Sequence, residues 1–166
     1  MNIAVILGSS KFDGNTRKLV ESFVVQSGAK LFDLSDFRIS FYDYEHENRS
    51  DDFLPLIQDL IRFDHIVFAS PVYWYSMSAQ LKVFFDRLSD LVTIEKDLGR
   101  QLKGKSISVL STGYNQELPD CFVQPFKLTA NYMQFEFKGC EYLAVQNESD
   151  LSKVNKCAAQ AVDNVT

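Results

Sequence analysis

The sequence predicts one α/β domain over residues 1–166, built on a parallel sheet with helices on both faces. Three observations predict it. Strand-like and helical stretches alternate along the whole chain, the order that produces strand–helix–strand crossovers. The runs Ile66-Val67-Phe68-Ala69 and Ile107-Ser108-Val109-Leu110 are apolar nearly throughout, as strands covered on both sides must be. With 166 residues and 46% apolar content, the chain can bury roughly 70% of its unfolded surface around one core.

The elements follow in order. Strands are expected at Asn2 to Leu7, Lys30 to Leu34, His65 to Ala69, Ser106 to Ser111 and Gln134 to Leu143. In the last of these Phe135 and Phe137 alternate with Gln134, Glu136 and Lys138, so one face meets water, as at a sheet edge. The first helix is expected from Asn15 to Ser27, burying Leu19, Val20, Phe23 and Val24, with Gly28 as its left-handed stop. A second, Asp52 to Arg62, accommodates Pro55 only in its first turn. A third, Ser78 to Leu91, turns Leu81, Phe84, Phe85 and Leu88 inward from an N-cap at Ser76 or Ser78. In the fourth, Pro119 to Met133, Pro125 should kink the helix or move its start. The fifth, Leu151 to Val165, repeats apolar residues at Leu151, Val154, Ala158, Ala161, Val162 and Val165.

Charge and composition narrow the partners. A net charge of −5 without any Lys/Arg cluster argues against nucleic acid and favours small molecules. No apolar run approaches the ~20 residues of a membrane span, and the chain opens as a strand, so a cytoplasmic protein is expected. Cys121, Cys140 and Cys157 have no ligand spacing and read as buried thiols. The acidic loop Phe41 to Asp52 holds a single His46, a poor metal set, and reads as solvated. His65 begins its strand at the end opposite the proposed site and is given no catalytic role. Lys82 and Asp86, spaced i,i+4 with Arg87 beside them, read as a surface ion pair.

The chemistry is expected in three loops. The first strand empties into Gly8-Ser9-Ser10-Lys11-Phe12-Asp13-Gly14-Asn15-Thr16, and a helix follows at once. Unpaired N–H groups and the positive end of the helix dipole then converge on one point, where an anion belongs. The loop has neither the Gly-Lys-Ser/Thr ending of a triphosphate loop nor a GxGxxG turn. It also lacks Cys-x5-Arg. Ser9, Ser10, Asn15 and Thr16 can surround a phosphate almost without cations, and Lys11 is either a rim cation or a solvated side chain. After the third strand, Ser70-Pro71-Val72-Tyr73-Trp74-Tyr75-Ser76 places three aromatics at a carboxyl end, where a planar ring could stack. A surface patch or a dimer contact is the competing use of Trp74 and Tyr75. After the fourth strand come Thr112, Gly113 and Tyr114, a glycine for close backbone approach beside an aromatic wall.

Through G-S-S-K-x-D-G-N-T and S-P-V-Y-W-Y-S-M-S-A-Q-L-K-x-F-F-D-R, the chain resembles the NADPH-dependent FMN reductase-like branch of the flavodoxin superfamily. The resemblance implies a flavodoxin-like, doubly wound, five-stranded parallel sheet of order 2-1-3-4-5. It implies FMN as cofactor, NAD(P)H as co-substrate, a quinone, flavin or similar small-molecule electron acceptor, and a homodimer or higher homo-oligomer. Carried over by position, Ser9, Lys11, Asn15 and Thr16 hold the FMN phosphate, Pro71, Val72, Tyr73 and Trp74 line the isoalloxazine, and Thr112, Gly113 and Tyr114 close its other edge. Catalysis is left to the flavin, with no catalytic side chain and no metal. Relatives with an iron–sulfur cluster carry cysteines where this chain has Tyr42, Tyr44 and His46, so no cluster is expected. An electron-carrier flavodoxin without NAD(P)H turnover, or a non-enzymatic scaffold of the same fold, are the competing expectations.

Overall fold

Ile3, Ala4, Val5, Ile6 and Leu7 are all buried, so strand β1 (Ile3–Leu7) lies inside the sheet and is covered on both faces. The computed structural model describes residues 1–165; Thr166, the last position of the expected domain, lies outside the described residues. β1 pairs in parallel with β2 (Lys30–Asp33) on one side and β3 (His65–Pro71) on the other. β4 (Ser106–Gly113) and β5 (Glu136–Ala144) extend the sheet to the order β2-β1-β3-β4-β5. The winding direction therefore reverses between β1 and β3. In a sheet of this kind the crevice for ligands opens there, outside the carboxyl ends of the strands.

Alternation within β1 builds two cores. Ala4 and Ile6 join Phe32, Ile66, Phe68, Ile107 and Val109 on one face, under α2 (Phe53–Leu60), α3 (Ala79–Arg87) and, further along the chain, α6 (Asp120–Met133). Ile3, Val5 and Leu7 join Val67, Ala69 and Leu110 on the other, under α1 (Asn15–Ser27) and α7 (Val154–Val165). Each fully buried Phe, such as Phe23, Phe53 or Phe84, contributes about 1.5–3 kcal/mol relative to exposure.

Several boundaries differ from expectation, each for a local reason. α1 begins and ends as expected, and Gly28 stops it at φ 71°. α2 starts at Phe53, which leaves Pro55 in the first turn. The third helix does not continue to Leu91. It ends at Arg87, and two short helices follow, α4 (Asp90–Thr93) and α5 (Lys96–Arg100). The N–H groups of Leu88, Ser89, Leu91 and Val92 bond three residues back, the tightened turn that ends a helix. Ser78 is the N-cap, its hydroxyl accepting from Leu81 N–H at 3.2 Å. α6 runs unbroken through Pro125, which leaves the Cys121 carbonyl without its helical donor. Gln134 belongs to no strand: it caps α6 in the left-handed conformation, φ 61°, so β5 starts two residues later than expected. Leu151 lies in a 3-10 turn, Glu148–Lys153, opened by an Asn147/Asp150 capping box, and only from Val154 is the last helix regular.

Two side-chain expectations are overturned. Cys121 is exposed and Cys140 half-buried, while Cys157 is buried. Arg87 is 0% exposed and not a companion of the surface pair Lys82–Asp86. Its guanidinium donates to Asp90 at 2.8 Å, to Asp51 and to the Ser40 carbonyl at 3.2 Å, and it lies over the Phe53 ring. These bonds pin the long acidic loop after β2 to the end of α3. The carboxylate of Asp51 is held below the usual range, because Arg87 and the N–H groups of Ser40 and Phe53 outweigh its burial. His46 places Nδ1 3.1 Å from Asp90 in the same cluster. Among the described residues, no group of three His, Cys, Asp or Glu is placed to hold a metal ion.

Candidate functional site

All three expected loops leave the carboxyl ends of β1, β3 and β4, and hydrogen bonds tie them together. Gly8 N–H donates to the Ala69 carbonyl at 2.9 Å, and Ser78 Oγ donates to the Gly8 carbonyl at 2.8 Å. A side chain at Gly8 is excluded because its Cβ would lie 2.8 Å from Leu81 Cβ. Ser70 Oγ accepts from Ser78 N–H at 2.9 Å, and Ser111 Oγ donates to the Ser70 carbonyl at 2.8 Å. Ser70 and Ser78 of the S-P-V-Y-W-Y-S-M-S segment thus form the frame beneath the loops. Val72 N–H reaches the Thr112 carbonyl at 2.8 Å, and Thr16 Oγ1 lies 2.7 Å from Thr112 Oγ1. That buried pair links the first loop directly to the third.

The first loop leaves the amino end of α1 open. Its N-cap is Gly14, no side chain caps it, and no acidic residue stands in the first turn. The first N–H groups of a helix have no partner within it, so this end keeps a positive field and free donors. Asn15 is half-buried beside them. Ser9 Oγ sits 3.4 Å from Lys11 N, while Lys11 itself is exposed and 3.9 Å from Asp13. Arg17, in the same turn, is turned away to pair with Asp33 and to cover the Phe12 ring.

In the second loop Pro71 is buried at the end of β3 and Val72 is half-buried. Tyr73 and Ser76 exchange backbone bonds of 2.9 and 3.0 Å around Trp74 and Tyr75, whose φ values are 49° and 68°. Two positive φ angles in a two-residue connection define a type I′ turn, a conformation that favours Asn-Gly and penalises bulky residues. The turn holds Trp74 92% exposed.

In the third loop Thr112 is buried, and Gly113 is required by close approach: a Cβ there would lie 2.7 Å from the Tyr142 hydroxyl and 3.3 Å from Val72 Cβ. Tyr114 is exposed. Val72, Trp74, Tyr75, Tyr114, Asn115 and Tyr142 together line an open cleft of about 190 Å³. Two residues of β5 and the loop after it were not expected here. The Tyr142 hydroxyl donates to the Asn115 carbonyl at 2.6 Å, and Gln146 Nε2 donates to the Tyr114 carbonyl at 3.1 Å. Burial pushes the Tyr142 phenol above its ordinary pKa, so it stays a donor. Its sequence signal was faint, one aromatic near the end of an edge strand.

The profile of the NADPH-dependent FMN reductase family matches residues 1–138. The chain belongs to that family. The Bacillus subtilis (strain 168) protein YwqN, for which the name proposes an NAD(P)H-dependent FMN-containing oxidoreductase, is 30% identical over 151 residues, covering 84% of this chain and 82% of YwqN. Among solved structures, the Trp repressor binding protein from Bacillus subtilis superposes with a TM-score of 0.78 at 25% identity, over 99% of this chain and 98% of its own. An NAD(P)H:quinone oxidoreductase from Methanothermobacter marburgensis shares the fold, with a TM-score of 0.74 at 16% identity over 99% and 96%. The sheet order of this chain is the flavodoxin-like one that the motif resemblance implied.

Proposed function

We propose that this member of the FMN reductase family holds FMN across the three loops and passes reducing equivalents from NAD(P)H to a quinone, flavin or similar planar acceptor. The reaction class rests on the family. The observation that carries the site is the uncapped amino end of α1, tied through Thr16 and Thr112 to both of the other loops. The residues fit the group: free N–H donors without a competing carboxylate in the turn suit a phosphate, and an aromatic-lined cleft beside them suits a ring.

Ser9, Asn15, Thr16 and the first-turn N–H groups would hold the phosphate, with Lys11 at the lip. Pro71, Val72, Tyr73 and Trp74 would bound the ring on one side, and Thr112, Gly113 and Tyr114 on the other. When bound, the flavin would supply the redox chemistry that links the nicotinamide to the acceptor. The chain's own task is to orient two planar partners against each other and to exclude water between them. No side chain of the loops has to serve as acid or base. Nicotinamide and acceptor use one open face in turn, which gives ping-pong kinetics. A homodimer belongs to the same proposal, because a second copy would cover exposed aromatics such as Phe41 and Tyr44. A cytoplasmic location goes with a nicotinamide-linked reaction. No described helix is long and apolar enough to cross a membrane.

Initial rates of the FMN-loaded protein with NADH or NADPH and a benzoquinone test the proposal. Parallel double-reciprocal lines are expected. FMN binding without nicotinamide oxidation would make the protein an electron carrier instead.

A further inference from the structure

Three consecutive carbonyls of the third loop are held from one side. Val145 N–H donates to the Gly113 carbonyl at 2.8 Å, Gln146 Nε2 to the Tyr114 carbonyl at 3.1 Å, and the Tyr142 hydroxyl to the Asn115 carbonyl at 2.6 Å. Gln116 Nε2 completes the tether by donating to Gln146 Oε1 at 2.9 Å. All these donors except Gln116 come from β5 and the loop that follows it.

The consequence concerns the N–H groups. Among the described residues no peptide is cis, and in a trans peptide each carbonyl points opposite to the N–H of the next residue. Holding the carbonyls of residues 113, 114 and 115 toward the β5 side turns the N–H groups of Tyr114, Asn115 and Gln116 the other way. Those three N–H groups find no partner among the described residues. Tyr114 and Asn115 line the cleft, and so does Tyr142 itself.

We infer that Tyr142, seconded by Gln146, is a positioning residue that fixes a row of three free backbone donors at the edge of the flavin ring and thereby favours the more negative, reduced form of the cofactor. Preorganised dipoles of this kind stabilise charge because they need not reorient when it appears. Gly113 is part of the device. Any side chain there would displace the Tyr142 hydroxyl that holds Asn115. The inference rests on the FMN-binding reading above.

The test is the affinity of the protein for FMN in both oxidation states, by anaerobic titration, together with the midpoint potential of the bound flavin. Tyr142→Phe keeps the ring and removes only the donor. Binding of reduced FMN is expected to weaken by roughly three- to tenfold more than binding of oxidised FMN, the factor carried by one net hydrogen bond, with the potential shifting negative accordingly. Gln146→Ala, at an exposed position that does not threaten folding, is expected to shift the same ratio in the same direction by a smaller factor. An unchanged ratio in both variants, with wild-type binding intact, overturns this inference alone. A wild-type protein that forms no complex with FMN overturns the functional reading as well.

Discussion

His65 shows how a single buried polar side chain can be satisfied and still leave a mark on stability. Its ring lies between two hydroxyls, Nδ1 2.7 Å from Ser106 Oγ and Nε2 2.8 Å from Ser108 Oγ, at the amino ends of the strands and away from the loops. Burial, with a smaller push from Lys138 and a small opposing pull from Glu136, takes its pKa down to about 4. The native state therefore refuses a proton that the unfolded chain accepts below about 6.5. Above that pH its titration leaves stability unchanged; as pH falls from 6.5 toward 4 it removes up to about 3 kcal/mol of stability. Urea unfolding of wild type and His65→Gln is expected to show a stability gap that narrows through this window, and a gap independent of pH would contradict it. The position of His65 was readable from the strand pattern, and its serine partners are simply its β4 neighbours. Arg87 was not readable in this way. It lies three residues after Phe84, on the inward row, but its partner Asp51 is distant in sequence and nothing local marks that pairing.

At the level of elements, the loops were more legible than the helix ends. A strand that empties into hydroxyls and amides before a helix carries its geometry in its own residues, and α1 starts and stops where Asn15 and Gly28 say. The break after α3 depends on Arg87 and Asp90 turning inward to meet each other and Asp51, a tertiary choice that outweighs helix periodicity. The Tyr73–Ser76 turn was visible as an aromatic cluster and invisible as strain. Trp74 and Tyr75 in left-handed conformation cost roughly 1–2 kcal/mol each, and residues held this way concentrate at functional sites. Replacing the pair by Trp74→Asn with Tyr75→Gly supplies the residues that a type I′ turn favours. The apoprotein should become more stable by about 1–3 kcal/mol in chemical denaturation, while its affinity for FMN falls. Lower stability would mean that the turn stores no strain.

The whole molecule is a sheet wound outward in both directions from β1 and β3, with its two faces covered and one rim left for chemistry. Alternating strands and helices made that plan readable before any contact was known. The strand order followed from the motif resemblance, because composition alone leaves it open. The convergence of the three loops depends on buried bonds between distant residues, Thr16 to Thr112 and Ser78 to Gly8, which no local pattern displays. The proposed function requires one arrangement: the phosphate of a flavin mononucleotide at the open end of α1, with its ring between the second and third loops. Titration of the apoprotein with FMN and with riboflavin, which lacks the phosphate, tests it most directly. A favourable helix-terminus site is worth up to ~2 kcal/mol, so FMN should bind more tightly by up to about thirty-fold, and Asn15→Ala should shrink that ratio. Equal affinities for the two flavins would contradict the arrangement.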